Sequence, residues 1–300
     1  MPNNTVLSPR HKLRDILVLL RIPFSLLLLP VFLFAVSQIE PEVFLWKQFW
    51  WLFFILHLLV YPSSNAFNSL MDQDTDSIGG VEHPPLPPKE LFWITILLDT
   101  VAIGLTTFFL GLLPALLLVG YILASRAYSA RSIRLKKYPI GGFSVVFFFQ
   151  GFYTFLMVYM AVSGLSLTES LVNCWMPALT SSLMIGGAYP LSQIYQHQQD
   201  RENGDISLSS WVGYKGTFMV SLCSFFLANL LLGIYFLPER AFFFMVFQVG
   251  MLPTMLFFVY WMRKVWQDTS AANFKNTMRM NLLAAVSMNL TYGAMWWLSV

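Results

Sequence analysis

Apolar runs long enough to cross a bilayer recur through the whole sequence, and they confine it to one class of structure. Segments near 15–36, 45–66, 91–111, 112–127, 139–161, 171–194, 213–236, 241–262 and 280–299 each approach the roughly 20 residues that a membrane helix requires. Hydrocarbon offers backbone amides no partner, so such runs fold as helices. The expected fold is an all-α polytopic membrane protein of about nine transmembrane helices, one domain over residues 1–300. Composition agrees: 57% of residues are hydrophobic and 11% charged, with a mean hydropathy of +0.62, outside the soluble range.

The basic residues test this topology. With the amino terminus cytoplasmic, nearly all Lys and Arg fall on the inner side, leaving Lys47 and Arg240 outside and Arg21 within the first span. That asymmetry is what the positive-inside rule demands. It also accounts for the net charge of +3 without a nucleic-acid partner. The first apolar run is too long for a cleaved signal and is expected to be retained. Cys174 and Cys223 stand in apolar segments, where they read as small buried hydrophobes and not as a disulfide.

Against so few charges, three Asp within five positions (Asp72, Asp74, Asp76) after the second span stand out. If that span continues as a helix, His57, Tyr61, Asn65, Asn68, Asp72 and Asp76 fall within about 100° of one another. A polar stripe on a membrane helix turns toward the bundle interior. Asp72 and Asp76, one turn apart, would aim at one point, and sparse hard oxygen ligands suit Mg²⁺ completed by substrate phosphate. The competing reading is a hydrophilic loop with Asp as turn and cap residues. Asp99, in mid-span, is expected to join two helices by hydrogen bonds.

Two further stretches lie on the same membrane side. After the fourth span, Arg126, Arg131, Arg134, Lys136 and Lys137 crowd twelve residues. Topology and anionic lipid explain Lys136 and Lys137. Tyr128 and Arg131, three apart at a helix end, share a face that suits phosphate. After the sixth span, Tyr189, Gln193, Gln196 and Asp200 form a second polar stripe running into acids. Two acidic helix ends with a basic loop between them form a constellation for a metal-bridged diphosphate, in a cavity open to the cytoplasmic face.

On these motifs the sequence resembles the UbiA-type intramembrane prenyltransferases over essentially its whole length. The resemblance implies Mg²⁺ holding a prenyl diphosphate, ionisation, and joining of the allylic cation to an acceptor, often aromatic. It assigns Asn68, Asp72 and Asp76 to the first acidic motif and Asp200 to the second. Tyr128 and Arg131 match a diphosphate-contacting Tyr-x-x-basic pattern, and Arg21 a basic residue of the first helix. Metal ligands are thus expected at Asn68, Asp72, Asp76, Asp200 and Asp205. Substrate contacts are expected at Asn68, Asn65, Arg21, Gln196 and Arg134, and catalytic roles at Asp72, Asp76, Asp200, Arg131 and Tyr128. Ser69 departs from the Asp commonly found after Asn68, and Gln196 and Gly204 stand where a second acid would lie four residues from Asp200. Glu202 or Asp205 then supplies it.

The activity implied is transfer of an isoprenoid group to a lipophilic aromatic acceptor in a quinone- or pigment-like pathway, within a cytoplasmic or inner membrane. A terpene cyclase on the same fold, ionising the diphosphate without an acceptor, is the alternative. A transporter would scatter acids through mid-span. Here only Asp99 is so placed.

Overall fold

The computed structural model describes residues 9–202 and 204–299. Among them nine helical rods follow one another, with no strand beyond an isolated bridge between Ile78 and Val81. The first rod is α1 (Pro9–Leu20), a 3₁₀ stretch Ile22–Leu27 and α2 (Leu29–Val36). The second is α3 (Trp46–Phe54), a wide π-type stretch Ile55–Val60 and α4 (Tyr61–Asp72). Then come α5 (Leu91–Leu110) and α6 (Leu112–Ser129). The fifth rod joins α7 (Pro139–Val145) to α8 (Thr154–Ser163) through a second π-type stretch, Val146–Tyr153. The last four are α9 (Leu167–Gln193), followed by the short α10 (His197–Glu202), then α11 (Leu208–Phe236), α12 (Ala241–Gln267) and α13 (Phe274–Ser299).

Six of these rods have the length and apolarity of a membrane span: Lys12–Val36, Leu91–Leu110, Leu112–Ser129, Pro139–Ser163, Leu208–Phe236 and Ala241–Gln267. The chain is therefore an integral membrane protein. The remaining three rods fall short of the nine expected spans for a physical reason. They contain α4, α9 and α13, which bring Asn65, Asn68, Asp72, Ser192, Gln193 and Asn281 to an internal cavity and so lose hydropathy.

Local chemistry sets the breaks. Gly111, at φ 98°, takes a backbone conformation that a Cβ would strain, and there α5 gives way to α6. Ser166 and Glu169 cap α9 reciprocally, the Ser166 hydroxyl accepting from Glu169 N and the Glu169 carboxylate from Ser166 N at 2.9 Å.

The rods close on themselves. α4 packs on α5 and α6, α6 on α8, α8 on α9, α9 on α11, α11 on α12, α12 on α13, and α13 returns to α2. Phe34 of α2 stacks on Tyr292 of α13 at 4.6 Å, sealing that last junction. Thr95, Thr106, Thr180, Ser182, Thr217, Ser221 and Thr277 are fully buried, small polar residues that let membrane helices approach. Large apolar side chains face outward instead, as Phe108 does at 81% exposure and Trp93 at 71%. A bilayer covers such a surface. Cys174 is buried as expected, but Cys223 is exposed on this apolar surface. Asp99 pairs with Arg126 and accepts from Ser63 at 2.7 Å, tying α5 to α6 and α4.

Candidate functional site

A cavity of about 350 Å³ opens between the ends of α4, α6, α9 and α13. On α6 its wall is Tyr121, Ser125 and Tyr128, and on α9 it is Ser181, Ile185, Ala188, Ser192 and neighbours at helical spacing. Toward the helix ends the wall turns polar, holding Asn65, Asn68, Asp72, Asp74, Asp200 and Asp205. Away from them it is apolar and aromatic, with Val31, Phe34, Phe149, Met288 and Tyr292.

The first acidic stretch folds differently from its expected helical stripe. α4 ends at Asp72 because Gln73 adopts the left-handed conformation, φ 54°. Asp76 therefore does not stand one turn beyond Asp72; it is exposed, and Asp74 joins Asp72 on the cavity wall instead. Asn68 accepts a hydrogen bond from Ser129 at 2.8 Å, fixing the end of α4 against the end of α6. Ser69, the departure from the motif, is buried on another side of α4 and donates to the Asn65 carbonyl at 3.1 Å.

The cations are also redistributed. α6 stops at Ser129, so Tyr128 and Arg131 do not share a helical face. Tyr128 lines the cavity, whereas Arg131 is exposed and spends its Nε on the Met71 carbonyl at 3.0 Å. Lys136 enters the wall in its place and pairs with Asp72, contrary to the lipid-facing role expected of it. Arg134 stands behind the wall, hydrogen-bonded twice to Asp205 and 3.4 Å from Asp72. Arg21 is buried, donates to the carbonyls of Gly79 at 3.1 Å and Asn65 at 3.0 Å, and keeps its buried Nε without a partner.

The second acidic stretch reaches the cavity through a turn. Gly204, at φ 70°, folds the chain so that Asp205 N donates to the Asp200 carbonyl at 2.8 Å. Asp200 and Asp205 both line the cavity, while Glu202 is exposed and bonded to Gln198 at 3.0 Å. Gln196 also lines it, its Nε2 3.4 Å from the Ser77 carbonyl. Gln199 donates to Asp74 at 2.9 Å and so joins the two acidic stretches.

Burial makes this pole reluctant to hold bare negative charge. Asp74 is pushed up to about 6, first by burial and then by the neighbouring Asp72 charge. Burial pushes Asp200 up to about 6 as well, against the pull of its hydrogen bond from Ser207 at 2.6 Å. An added cation would reverse both effects. The donor chemistry fits a hard divalent ion: carboxylates and an amide surround the pole, and the buried Asp72 Oδ1 has no hydrogen-bond donor. Yet among the described residues no three His, Cys, Asp or Glu converge closely enough to cage a metal alone. A metal held here would share its shell with phosphate or water oxygens, the usual coordination of Mg²⁺.

Sequence reasoning did not reach the lining roles of Lys136, Asp74 and Gln199. Lys136 is brought in by the left-handed Arg134, φ 47°, a conformation no local signal announces. Tyr121, Tyr128, Tyr189, Tyr195 and Tyr292 line the cavity, whereas Tyr61 of the expected polar stripe does not.

The UbiA prenyltransferase family model matches residues 27–283. Among solved structures, the fold is similar to a UbiA homolog from Aeropyrum pernix K1 with a TM-score of 0.68 and 18% identity, covering 91% of this chain and 98% of that one. It is similar to a UbiA homolog from Archaeoglobus fulgidus bound to Cd²⁺, with a TM-score of 0.63 and 13% identity over 93% and 99% of the two chains. A digeranylgeranylglyceryl phosphate synthase gives 0.59 and 19%, over 96% and 99%. At these identities the likeness is one of fold. A search of curated protein sequences finds no match.

Proposed function

The chain belongs to the UbiA prenyltransferase family, and from that premise we propose that it transfers an isoprenoid group from a prenyl diphosphate to a lipophilic aromatic acceptor within the membrane. The observation that carries this reading is the polarity gradient of one cavity. Its acids, Lys136 and Arg21 gather at one pole, and an apolar, aromatic depth begins within a few helical turns. A prenyl diphosphate has the same two-ended chemistry.

The diphosphate lies at the acidic pole, where Lys136 and the free Nε of Arg21 meet its charge. Asn68, Asp72, Asp200 and Asp205 would hold Mg²⁺, with Asp74 in the place expected of Asp76. Such an ion would supply charge neutralisation for the leaving diphosphate. The allylic C–O bond breaks with both electrons remaining on the diphosphate oxygen. An acceptor carbon then provides the electron pair of the new bond and loses its proton. Phe149, Tyr128 and Tyr195 offer ring faces to the allylic cation, and the apolar walls exclude the water that would quench it. The asymmetry of basic residues supports an orientation with the acidic pole cytoplasmic.

Release of diphosphate from geranyl, farnesyl and geranylgeranyl diphosphates by purified protein tests this reading, with Mg²⁺ or EDTA and with a membrane lipid extract as acceptor source. Release should require the metal and fall at least a hundredfold in Asp72→Ala and Asp200→Ala. Product masses equal to isoprenoid plus acceptor are expected. A cyclised hydrocarbon formed without extract would replace transfer by cyclisation, and no release from any diphosphate would overturn the reading.

A further inference from the structure

The cavity is not equally deep on all sides. Counted from the acidic pole, its lining stops on α6 at Tyr121 and on the fifth rod at Gln150, but on the first rod it runs from Arg21 to Phe34 and on α13 from Met278 to Tyr292. Arg21 and Met278 stand at the level of the pole. Arg21 donates to the Asn65 carbonyl, and Phe274, one turn before Met278, packs its ring against that of Tyr195 at 5.4 Å. From Met278 to Tyr292 the helix advances about 21 Å at 1.5 Å per residue.

The stack of Phe34 on Tyr292 ends this deep channel. The rings lie 4.6 Å apart and within 18° of parallel. Phe155 presses edge-on against Phe34 at 5.2 Å, and Phe247 backs Tyr292 at 6.1 Å. With Phe34 1% and Tyr292 2% exposed, the channel tapers onto the pair, and close packing leaves neither ring a space to swing into.

A chain whose diphosphate is held at the pole must fit between the pole and this floor. Three skeletal bonds of an extended chain advance about 3.3–3.6 Å, so the four of an isoprene unit advance about 4.5–5 Å. Four units span about 18–20 Å and fill the depth, whereas six span about 27–30 Å and exceed it. The walls on the way, Leu28, Val31, Ala285 and Met288, are apolar, as a hydrocarbon chain requires.

We propose that the Phe34–Tyr292 stack is a floor that limits the isoprenoid to four units, so that geranylgeranyl diphosphate is the longest donor this protein uses well. The assignment rests on the prenyl-transfer reading and adds the donor class to it. Phe34 and Tyr292 are then specificity determinants that act far from the reacting carbon.

Diphosphate release from geranyl, farnesyl, geranylgeranyl and hexaprenyl diphosphates tests the floor, each donor at one mole fraction in detergent micelles with Mg²⁺ and membrane lipid extract. Wild type should use hexaprenyl diphosphate at least about tenfold less well than geranylgeranyl diphosphate in kcat/KM. Tyr292→Ala and Phe34→Ala should each bring that ratio below about threefold. Ala285→Phe, two helical turns before Tyr292 on the same wall, sets a ring about 10 Å nearer the pole. It should lower geranylgeranyl use at least about tenfold and change geranyl use by less than about threefold. Equal use of the two longest donors by wild type overturns the proposal, because the chain then leaves sideways into the bilayer, and this measurement needs no variant to fold. A cut-off that persists in Tyr292→Ala and Phe34→Ala proteins still active on geranyl diphosphate overturns it as well. No release from any donor is the failure of the prenyl-transfer reading itself, and the floor falls with it.

Discussion

Arg134 grips Asp205 through two parallel hydrogen bonds, Nε to Oδ1 at 2.8 Å and Nη2 to Oδ2 at 2.7 Å, and so clamps the chain after α6 to the chain after α10. Both side chains are largely buried, and the same guanidinium reaches within 3.4 Å of Asp72 on the opposite wall. One residue thereby spaces the two acidic stretches.

Lysine cannot reproduce that fork. Arg134→Lys should lower diphosphate release at least tenfold and Arg134→Ala should destabilise the fold by about 1.5–3 kcal/mol, the range for hydrogen bonds to a charged partner. Denaturation of both variants in detergent, beside the release assay, checks this; wild-type behaviour of Arg134→Lys would show that the fork does not matter.

Lys136 occupies Asp72 as an internal counter-ion. Its removal leaves the buried carboxylate with only Arg134, 3.4 Å away and committed to Asp205, as a cationic neighbour. Lys136→Met should therefore bind Mn²⁺ or Cd²⁺ on the order of tenfold more tightly, from the loss of a competing charge at contact distance, while its affinity for a prenyl diphosphate falls. Isothermal titration reads both, and unchanged metal affinity would mean that Lys136 does not compete for Asp72.

Gly151 lies where the fifth rod presses on α9. A Cβ there would stand 2.5 Å from Ser182 Oγ and 2.7 Å from Ser182 N. Ser182 cannot retreat, because its hydroxyl accepts from Phe152 N at 2.8 Å and donates to the Phe147 carbonyl at 2.6 Å. Gly151→Ala should cost about 1–3 kcal/mol as overpacking. Gly104→Ala, whose Cβ would meet nothing within 4 Å, should hold or slightly raise the melting temperature, since alanine is the better helix former.

His197 is buried, bonded to Ser209 at 2.7 Å and stacked on Tyr214 at 4.5 Å. Burial, and then the Arg201 charge, lower it to about 4. Its unfolded value is about 6.5. The unfolded chain thus binds the extra proton first, so the His197 contribution to stability should be level above pH 6.5 and decline as pH falls toward 4, while Asp74 and Asp200, raised to about 6, contribute with the opposite sign. Melting curves from pH 8 to pH 5 should therefore show the His197 contribution as a difference, with His197→Asn gaining on wild type as pH falls.

Legibility of the site followed the reach of helical periodicity. Tyr189, Gln193, Gln196 and Asp200 share a cavity wall as their spacing predicts, although α9 ends at Gln193. The same reasoning applied to Asp76 and Arg131 carried each helix past its end, because Gln73 turns left-handed and α6 stops at Ser129. Periodicity predicts a face only while the helix lasts.

By itself the sequence determined that this chain is helical and lies in a membrane, because the length and apolarity of its runs leave the backbone no other way to satisfy its amides. It also determined that acids and bases collect at helix ends, since charge in mid-span is too costly. Only the tertiary structure decided which of those charges meet. Lys136 reaches Asp72, and Asp205 rather than Glu202 enters the cavity, through turns at Arg134 and Gly204 with positive φ. Such turns are single-residue conformations held by the packed bundle around them, and no periodic pattern in the sequence encodes them.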